Sequence, residues 1–420
     1  MSHLPLEGVR VLDLSRLLPG PYATLVLADQ GADVVKVEDP RGGDYLRSVP
    51  PLFSDAAAGA SDAAAGASEG EAGAGLRSGA CHSGAFHALN RNKRSLALDL
   101  KAEGGPAVLR RLARRFDVVV ESFRPGVLDK LGAGHAALRC ENPRIIYCAL
   151  TGYGQSGPYR DLAGHDLNYC AISGALALNG PEEAPVPFGV QPADVAGGAW
   201  VAVAGILAAL HRRSVTGEGA FVDVSMTEGV LAMLTMQLGM AAARSAPLRR
   251  GREQLSGAAA CYRTYRTRDG RFVALGALEP RFFGRFCEAA GRPELASRQL
   301  ERDGRGPVEE LEALFLTRTR DEWAALGRAQ DLCLTPVLEG DEPLQDPQLL
   351  SRGAFDVVPT PWGGPSVLAP ATPVRIDAER APVRPAPELG ADTDPVLEEA
   401  GFTSGEIASL RDRGVVGVRS

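Results

Sequence analysis

The first forty residues alternate strand, helix and strand, and that alternation restricts the fold more than any other feature of the chain. Val9–Leu14 is a short β-type run, punctuated by Gly20-Pro21. Tyr22–Asp29 has helical spacing and ends at Gly31, and Asp33–Val37 resumes a strand. A unit of this kind predicts a right-handed parallel crossover. Further strands are expected at Ser95–Leu100, Asp117–Glu121 and Ile145–Leu150, with a helix over Glu103–Arg115 between the first two. The fold class that follows is α/β, a Rossmann-like domain with an open, mostly parallel sheet. No Gly-x-Gly-x-x-Gly follows the first strand. In its place stands Leu18-Pro19-Gly20-Pro21, whose prolines lack the backbone donors a pyrophosphate needs, which disfavours a nicotinamide-dependent oxidoreductase.

A length of 420 residues leaves room for a second domain. A long helix is expected from Asp194 to about Arg212, then a strand at Ala220–Ser225 and a helix over Glu228–Ala243. CYRTYRT and RFVALGA flank Arg268-Asp269-Gly270 as a hairpin, and Glu279-Pro280 opens another helix. The expected division is a large Rossmann-like domain over 1–225, a smaller α+β domain over 226–340, and a segment over 341–420 that returns to the large domain. In that last segment, 357–387 is Pro-rich and extended, and one or two short helices follow Asp394. Residues 53–84 repeat AAAGAS and lack large apolar side chains, so they read as a surface insertion.

The net charge of −7 argues against a nucleic-acid partner, which requires a concentrated basic face. The seven Cys include no Cys-x-x-Cys pair, so no metal site or disulfide framework is expected and the thiols read as reduced. The N-terminus lacks a basic stretch followed by an apolar one, and Trp200–Leu210, the most apolar run, is too short to span a bilayer. The expectation is a cytoplasmic protein with no membrane partner.

VRVLDLSRLLPGPYATLVLADQGADVVKVEDPRGGDYLR, LNRNKRSLALDLK, ESFRPGVLDKLG, NPRIIYCALTGYGQSGPY, AGHDLNY and ADVAGGAW stand in that order. With DGRFVALGALEPRFF and LGADTDPVLEEAGF further on, they resemble the family III CoA-transferases of the CaiB/BaiF type. In their site motifs the blocks come closest to the α-methylacyl-CoA racemases. The resemblance implies a coenzyme A thioester as substrate, no tightly bound cofactor, and two chains threaded through each other as an interlocked homodimer.

It also implies site residues. Asp194 matches the family aspartate; alone, an Asp ahead of a helix reads as an N-cap, and a helix start would favour its ionised form. His165 and Glu279 match the racemases' histidine and its paired glutamate. A His–carboxylate pair suits proton transfer, although His165 could equally serve a helix-start turn and Glu279 a helix dipole, with Asp166 as the N-cap of a helix from Leu167. Arg91, Lys93, Arg94 and Arg124 match phosphate-binding positions; by itself, 91–94 reads as a solvated basic turn. Departures occur at Leu18, where transferases carry Gln, at Asp39, at Ser122, and in the Leu255–Ala260 loop, which holds a single Gly.

Three functions remain in contention. The first is epimerisation of a 2-methylacyl-CoA-type thioester with His165/Glu279 and Asp194 as bases. The second is CoA transfer between carboxylic acids through an Asp194 acyl-anhydride and an aspartyl-CoA thioester. The third is acyl-CoA binding without catalysis. The His165, Asp194 and Glu279 set places proton transfer first.

Overall fold

The computed structural model describes residues 4–53, 82–301, 306–377 and 380–417; the insertion expected at 53–84 lies, from 54 to 81, outside the described residues. The chain forms two compact units. One comprises Met1–Tyr169, Gln191–Ala232 and Leu350–Ser420, and the other Cys170–Val190 and Met233–Leu349. The segment 170–190 thus goes with the second unit.

The first unit is built on β1 (Arg10–Asp13), α1 (Pro19–Asp29), β2 (Asp33–Glu38), β3 (Arg94–Ala97), α2 (Gly105–Ala113), β4 (Val118–Glu121), β5 (Ile146–Thr151) and β6 (Ala220–Ser225). The six strands form one sheet in the order β3-β2-β1-β4-β5-β6, with every neighbouring pair parallel. Each lies within a few residues of a strand expected from the sequence. The reason is burial: β4 (VVVE) and β5 (IYCALT) are buried along their whole length, as a sheet covered on both faces demands. On one face, Leu12, Val35, Leu96 and Val119 pack against Leu109 and Leu112 of α2 and against Val396, Leu397 and Leu410 of the C-terminal helices Thr393–Glu399 and Ser404–Asp412. The same segment covers the β3 edge. Ser95 N donates to Asp392 Oδ2 at 2.9 Å, and Asp392 N donates back to the Ser95 carbonyl at 2.9 Å.

The helix expected from Asp194 is two elements. Ala193–Ala199 is wound as a π-helical turn, and only then does α4 (Trp200–Thr216) begin. Together they make a run of 24 residues, with mean hydropathy 1.8 over its most apolar 18, longer than Trp200–Leu210 and long enough to cross a membrane by length and composition. Here one side of it packs on α1, β5 and β6. Helix α5 (Met226–Ala232) lies directly on the π turn, because Gly197 and Gly229 meet backbone to backbone: a Cβ on Gly229 would sit 1.9 Å from the Gly197 carbonyl oxygen.

In the second unit, α6 (Thr235–Arg244) precedes a three-stranded antiparallel sheet of β7 (Tyr262–Arg266), β8 (Phe272–Gly276) and β9 (Leu334–Pro336), with β8 central. The hairpin expected around Arg268-Asp269-Gly270 is β7–β8. Its core is aromatic: Tyr265 stacks on Phe315 at 4.6 Å, and Trp323 donates from Nε1 to the Phe315 carbonyl at 2.9 Å. Helix α7 (Pro280–Ala289) adds Phe283 and Phe286.

The close approach at Gly229 predicts that Gly229→Ala forces α5 off the π turn and costs about 1–3 kcal/mol by overpacking. Gly239→Ala, in α6 with nothing within 4 Å of the added Cβ, should be neutral or slightly stabilising. Thermal unfolding midpoints of the two variants check this; equal midpoints would contradict the packing described.

Candidate active site

In an open parallel sheet, ligands bind beyond the carboxyl ends of the strands where the chain order reverses. Here the reversal lies between β1 and β4, from which the chain leaves in opposite directions. The loops Leu14–Leu18 and Ser122–Pro125 part at that point. Between them open two chambers, both lined by Arg16, Ser122, Phe123 and Arg124. One, of about 340 Å³, also contains Asp194, His165, Tyr153, Tyr169 and Arg160. The other, of about 440 Å³, is lined by Asp39, Asp99, Lys101 and Gly43 among others.

Asp194 sits in the first turn of the π helix and is not its cap. That role is taken by Asp166, at the start of α3 (Asp166–Ile172). Asp166 Oδ1 accepts from Ala193 N at 2.7 Å and from Asp194 N at 3.0 Å. The Asp194 carboxylate is thereby left to face the cavity. Burial first, and the Asp166 charge second, push its pKa from 3.8 up to about 7. This corrects the expectation that a helix start holds Asp194 ionised: desolvation and a like charge outweigh the dipole. His165 immediately precedes α3. Its N–H donates to Asn168 Oδ1 at 3.0 Å, and its carbonyl accepts from Asn168 N at 2.8 Å. The backbone is thus fixed while the imidazole is exposed at the cavity wall. Asp166, expected as the cap of α3, is the first residue of that helix, and its side chain serves the π turn.

Glu279 belongs to the second unit. It is exposed and directly precedes α7, where its carbonyl accepts from Phe282 N and Phe283 N at 2.9 and 3.1 Å.

Of the four basic residues, Arg124 alone lines the chambers and is exposed there. The other three are committed to partners within the protein, Arg91 and Lys93 buried and Arg94 partly buried, contrary to a solvated basic turn. Arg91, 1% exposed, pairs with Asp29 at 2.7 Å and Asp356 at 3.5 Å. Lys93 Nζ donates to Asp13 Oδ2 at 3.1 Å, to the Pro21 carbonyl at 2.9 Å and to Asn90 Oδ1 at 2.9 Å. Arg94 pairs with Glu399 at 2.8 Å and Asp33 at 3.3 Å. The physical reason is that their acidic partners lie far away in sequence and meet them only once the sheet closes.

Residues that the sequence reading did not single out fill the wall. Arg16 stacks over the Phe123 ring at 5.4 Å, and Arg160 stands beside it in the smaller chamber. Tyr169, pushed up to about 12 chiefly by burial, stays a neutral hydroxyl, and its ring meets that of Tyr153 edge-on at 5.1 Å. At the departure noted above, Asp39 accepts twice from Arg41, from Nε and Nη2 at 2.9 Å each. Among the described residues, no group of three or more His, Cys, Asp or Glu is arranged to hold a metal. Chemically, the small chamber offers a carboxyl that titrates near neutrality, an imidazole, and cations at the rim. That set can take up and return a proton next to a polarised carbonyl on an anionic ligand.

A family model described as CoA-transferase family III matches residues 6–393. Alpha-methylacyl-CoA racemase from Homo sapiens is 36% identical over 425 residues, spanning 98% of each chain. The succinate–glutarate CoA-transferase of Agrobacterium fabrum is 34% identical over 411 residues, spanning 94% of this chain and 95% of that one. Among solved structures, a CAIB/BAIF family protein from Brucella suis matches with a TM-score of 0.77 at 31% identity, covering 95% of this chain and all of that one.

The raised pKa of Asp194 has a consequence for stability. A carboxyl whose folded pKa is raised stabilises the fold fully below its unfolded value near 3.8 and loses that contribution as pH climbs through about 7. Asn does not titrate. Asp194→Asn should therefore gain thermal stability over the parent at pH 8.5, and only about half as much at pH 5.5, which lies midway between the two pKa values. An equal difference at both pH values would show that Asp194 is ionised throughout.

Proposed function

The chain belongs to CoA-transferase family III, and on that premise we propose that it moves the proton α to the thioester carbonyl of a 2-methylacyl-CoA, inverting that carbon. The observation that carries this reading is the state of Asp194. A nucleophile that must attack a thioester and form an anhydride works as the ionised carboxylate. A group near pKa 7, facing a cavity it shares with an imidazole, can instead exchange a proton on one face of the α-carbon while the imidazole serves the other. The relatives reported above include a racemase and a CoA-transferase, both enzymes.

In this reading Asp194 and His165 are the two bases, and Glu279 is the carboxylate paired with the imidazole, as in the racemases that the sequence resembles. Arg124, with Arg16, faces the phosphates of coenzyme A. Arg91, Lys93 and Arg94 act from behind, by fixing the wall. The proposed assembly is an interlocked homodimer in the cytoplasm, with the 1–225, 226–340 and 341–420 segments as its domains except that 170–190 goes with the second. It takes acyl-CoA as substrate and uses no tightly bound cofactor. CoA transfer through Asp194 is the second reading, favoured by the 34% identity to a CoA-transferase across nearly the whole chain.

Incubation with 2-methylacyl-CoA in deuterated water, with and without a carboxylic acid acceptor, separates the readings. Racemisation predicts α-deuteration that needs no acceptor. It should fall about 10²–10⁴-fold in Asp194→Asn and in His165→Ala, since each removes an acid–base group. The His165→Ala, Glu279→Gln double variant should be little worse than His165→Ala, because residues acting as a unit are not additive. CoA exchange onto the acceptor without α-deuteration, unaffected by His165→Ala, would establish transfer. Neither reaction, with CoA still bound, would establish a binding protein.

A further inference from the structure

Glu121 ends β4, one residue before the Ser122–Arg124 stretch that lines both chambers, and its side chain takes part in none of the chemistry above. It is 4% exposed. Its Oε2 accepts the Phe123 N–H at 2.7 Å, closing the chain into a tight turn as it leaves the sheet. The residues so held then bind the opposite wall: Ser122 Oγ accepts from Arg16 N at 3.3 Å, and the Arg16 guanidinium covers the Phe123 ring. One buried carboxylate therefore sets the position of the turn that carries Arg124 and, through Ser122 and Phe123, steadies the loop that carries Arg16.

We propose that Glu121 is a positioning residue whose carboxylate clamps the Phe123 amide and so holds Arg124 and Arg16 where they receive the phosphates of coenzyme A. This rests on the reading of the two chambers as a CoA thioester site. An ionised carboxylate accepts from the amide with either oxygen, whereas a protonated one gives up part of that capacity and binds an N–H more weakly. The surroundings make this switch available near neutrality. From β5, Tyr147 hydrogen-bonds to Glu121 and Cys148 lies close by; Asp129 adds a like charge; His135 packs on the Tyr147 ring at 5.6 Å. Burial, only partly offset by the Phe123 amide and the Tyr147 hydroxyl, pushes Glu121 up to about 7. As pH falls through that value the clamp takes up a proton and loosens, and CoA affinity drops with it.

The test uses free coenzyme A as probe, its Kd measured by calorimetry from pH 6 to pH 8.5 on the full chain. Arg124→Ala serves as the check on the site itself. Glu121→Gln is nearly isosteric: its amide oxygen can still accept from Phe123 N, but it cannot ionise. It should bind CoA about three- to tenfold more weakly than the parent at pH 8.5, the loss of one charge-assisted bond. It should also show a flatter Kd–pH profile, and its KM for acyl-CoA should rise more than its kcat falls. Tyr147→Phe removes a hydrogen bond that favours the ionised form, so it should move the midpoint of the profile to higher pH. If Arg124→Ala binds CoA as the parent does, the site reading fails. If Arg124→Ala weakens binding while Glu121→Gln matches the parent at every pH, the site stands and the positioning role of Glu121 is wrong.

Discussion

A buried ion pair at the end of β1 underlies the whole crevice. Asp13 and Lys93 have fully buried side chains 3.1 Å apart. Burial alone would raise the Asp13 pKa, but Lys93 and Lys36, with the hydroxyls of Ser15 and Thr24, outweigh it and hold Asp13 down to about 2. Lys93, pushed down to about 8 by burial, is still charged at neutral pH. Thr24 Oγ1 donates to the same Asp13 oxygen at 2.6 Å, and Lys93 reaches the Pro21 carbonyl at 2.9 Å. Strand β1, the start of α1 and the 90–93 turn are thus tied at one point. Losing either charge would strand the other in the interior, at about 3–5 kcal/mol. With β1 and α1 fixed, the Leu14–Leu18 loop between them has little freedom, and Arg16 and Leu17 are delivered to the cavity rim.

On the opposite side of the crevice the arrangement is reversed, with carboxyls left short of cations. Asp166 spends an oxygen on the two amides that open the π turn, and its charge then bears on Asp194. No hydrogen bond or ion pair among the described residues offsets the burial of the Asp194 carboxylate. A π turn suits this position, because its wider winding, with Gly197 and Gly198 against α5, lets the backbone lie close to Met226 and Val230 while the acid points outward.

Most of the sheet was legible in the sequence because its strands are buried on both faces and read as unbroken apolar runs, as in VVVE and IYCALT. The π turn was not, because ADVAGGAW fits a helical reading equally well and the difference lies in packing against Gly229. Asp194, His165 and Arg124 were legible through their motifs, and the structure gathers those three at one cavity. That Arg91, Lys93 and Arg94 form ion pairs and not a solvated turn was not legible, because it depends on Asp29, Asp13 and Glu399, which no local pattern connects to them. Arg16 was in plain view within a matching block. Its role follows only from the strand order, which sets the end of β1 beside the end of β4.

The same strand order explains why a carboxyl near neutrality is useful at this point. The rim cations Arg16, Arg124 and Arg160 are exposed, and so act on Asp194 only through water. An anionic ligand seated between them neutralises the rim and expels that water, which removes what little stabilises the ionised acid. On the proposed reading the proton affinity of Asp194 would then rise as the ligand binds, and electrostatic interactions inside the cavity would strengthen as the local dielectric falls. A residue held at an ordinary carboxylate pKa would give its proton to bulk water before the ligand arrived. On the proposed reading, keeping Asp194 uncompensated and placing the positive charge at the rim would couple the protonation of the acid to the presence of the ligand.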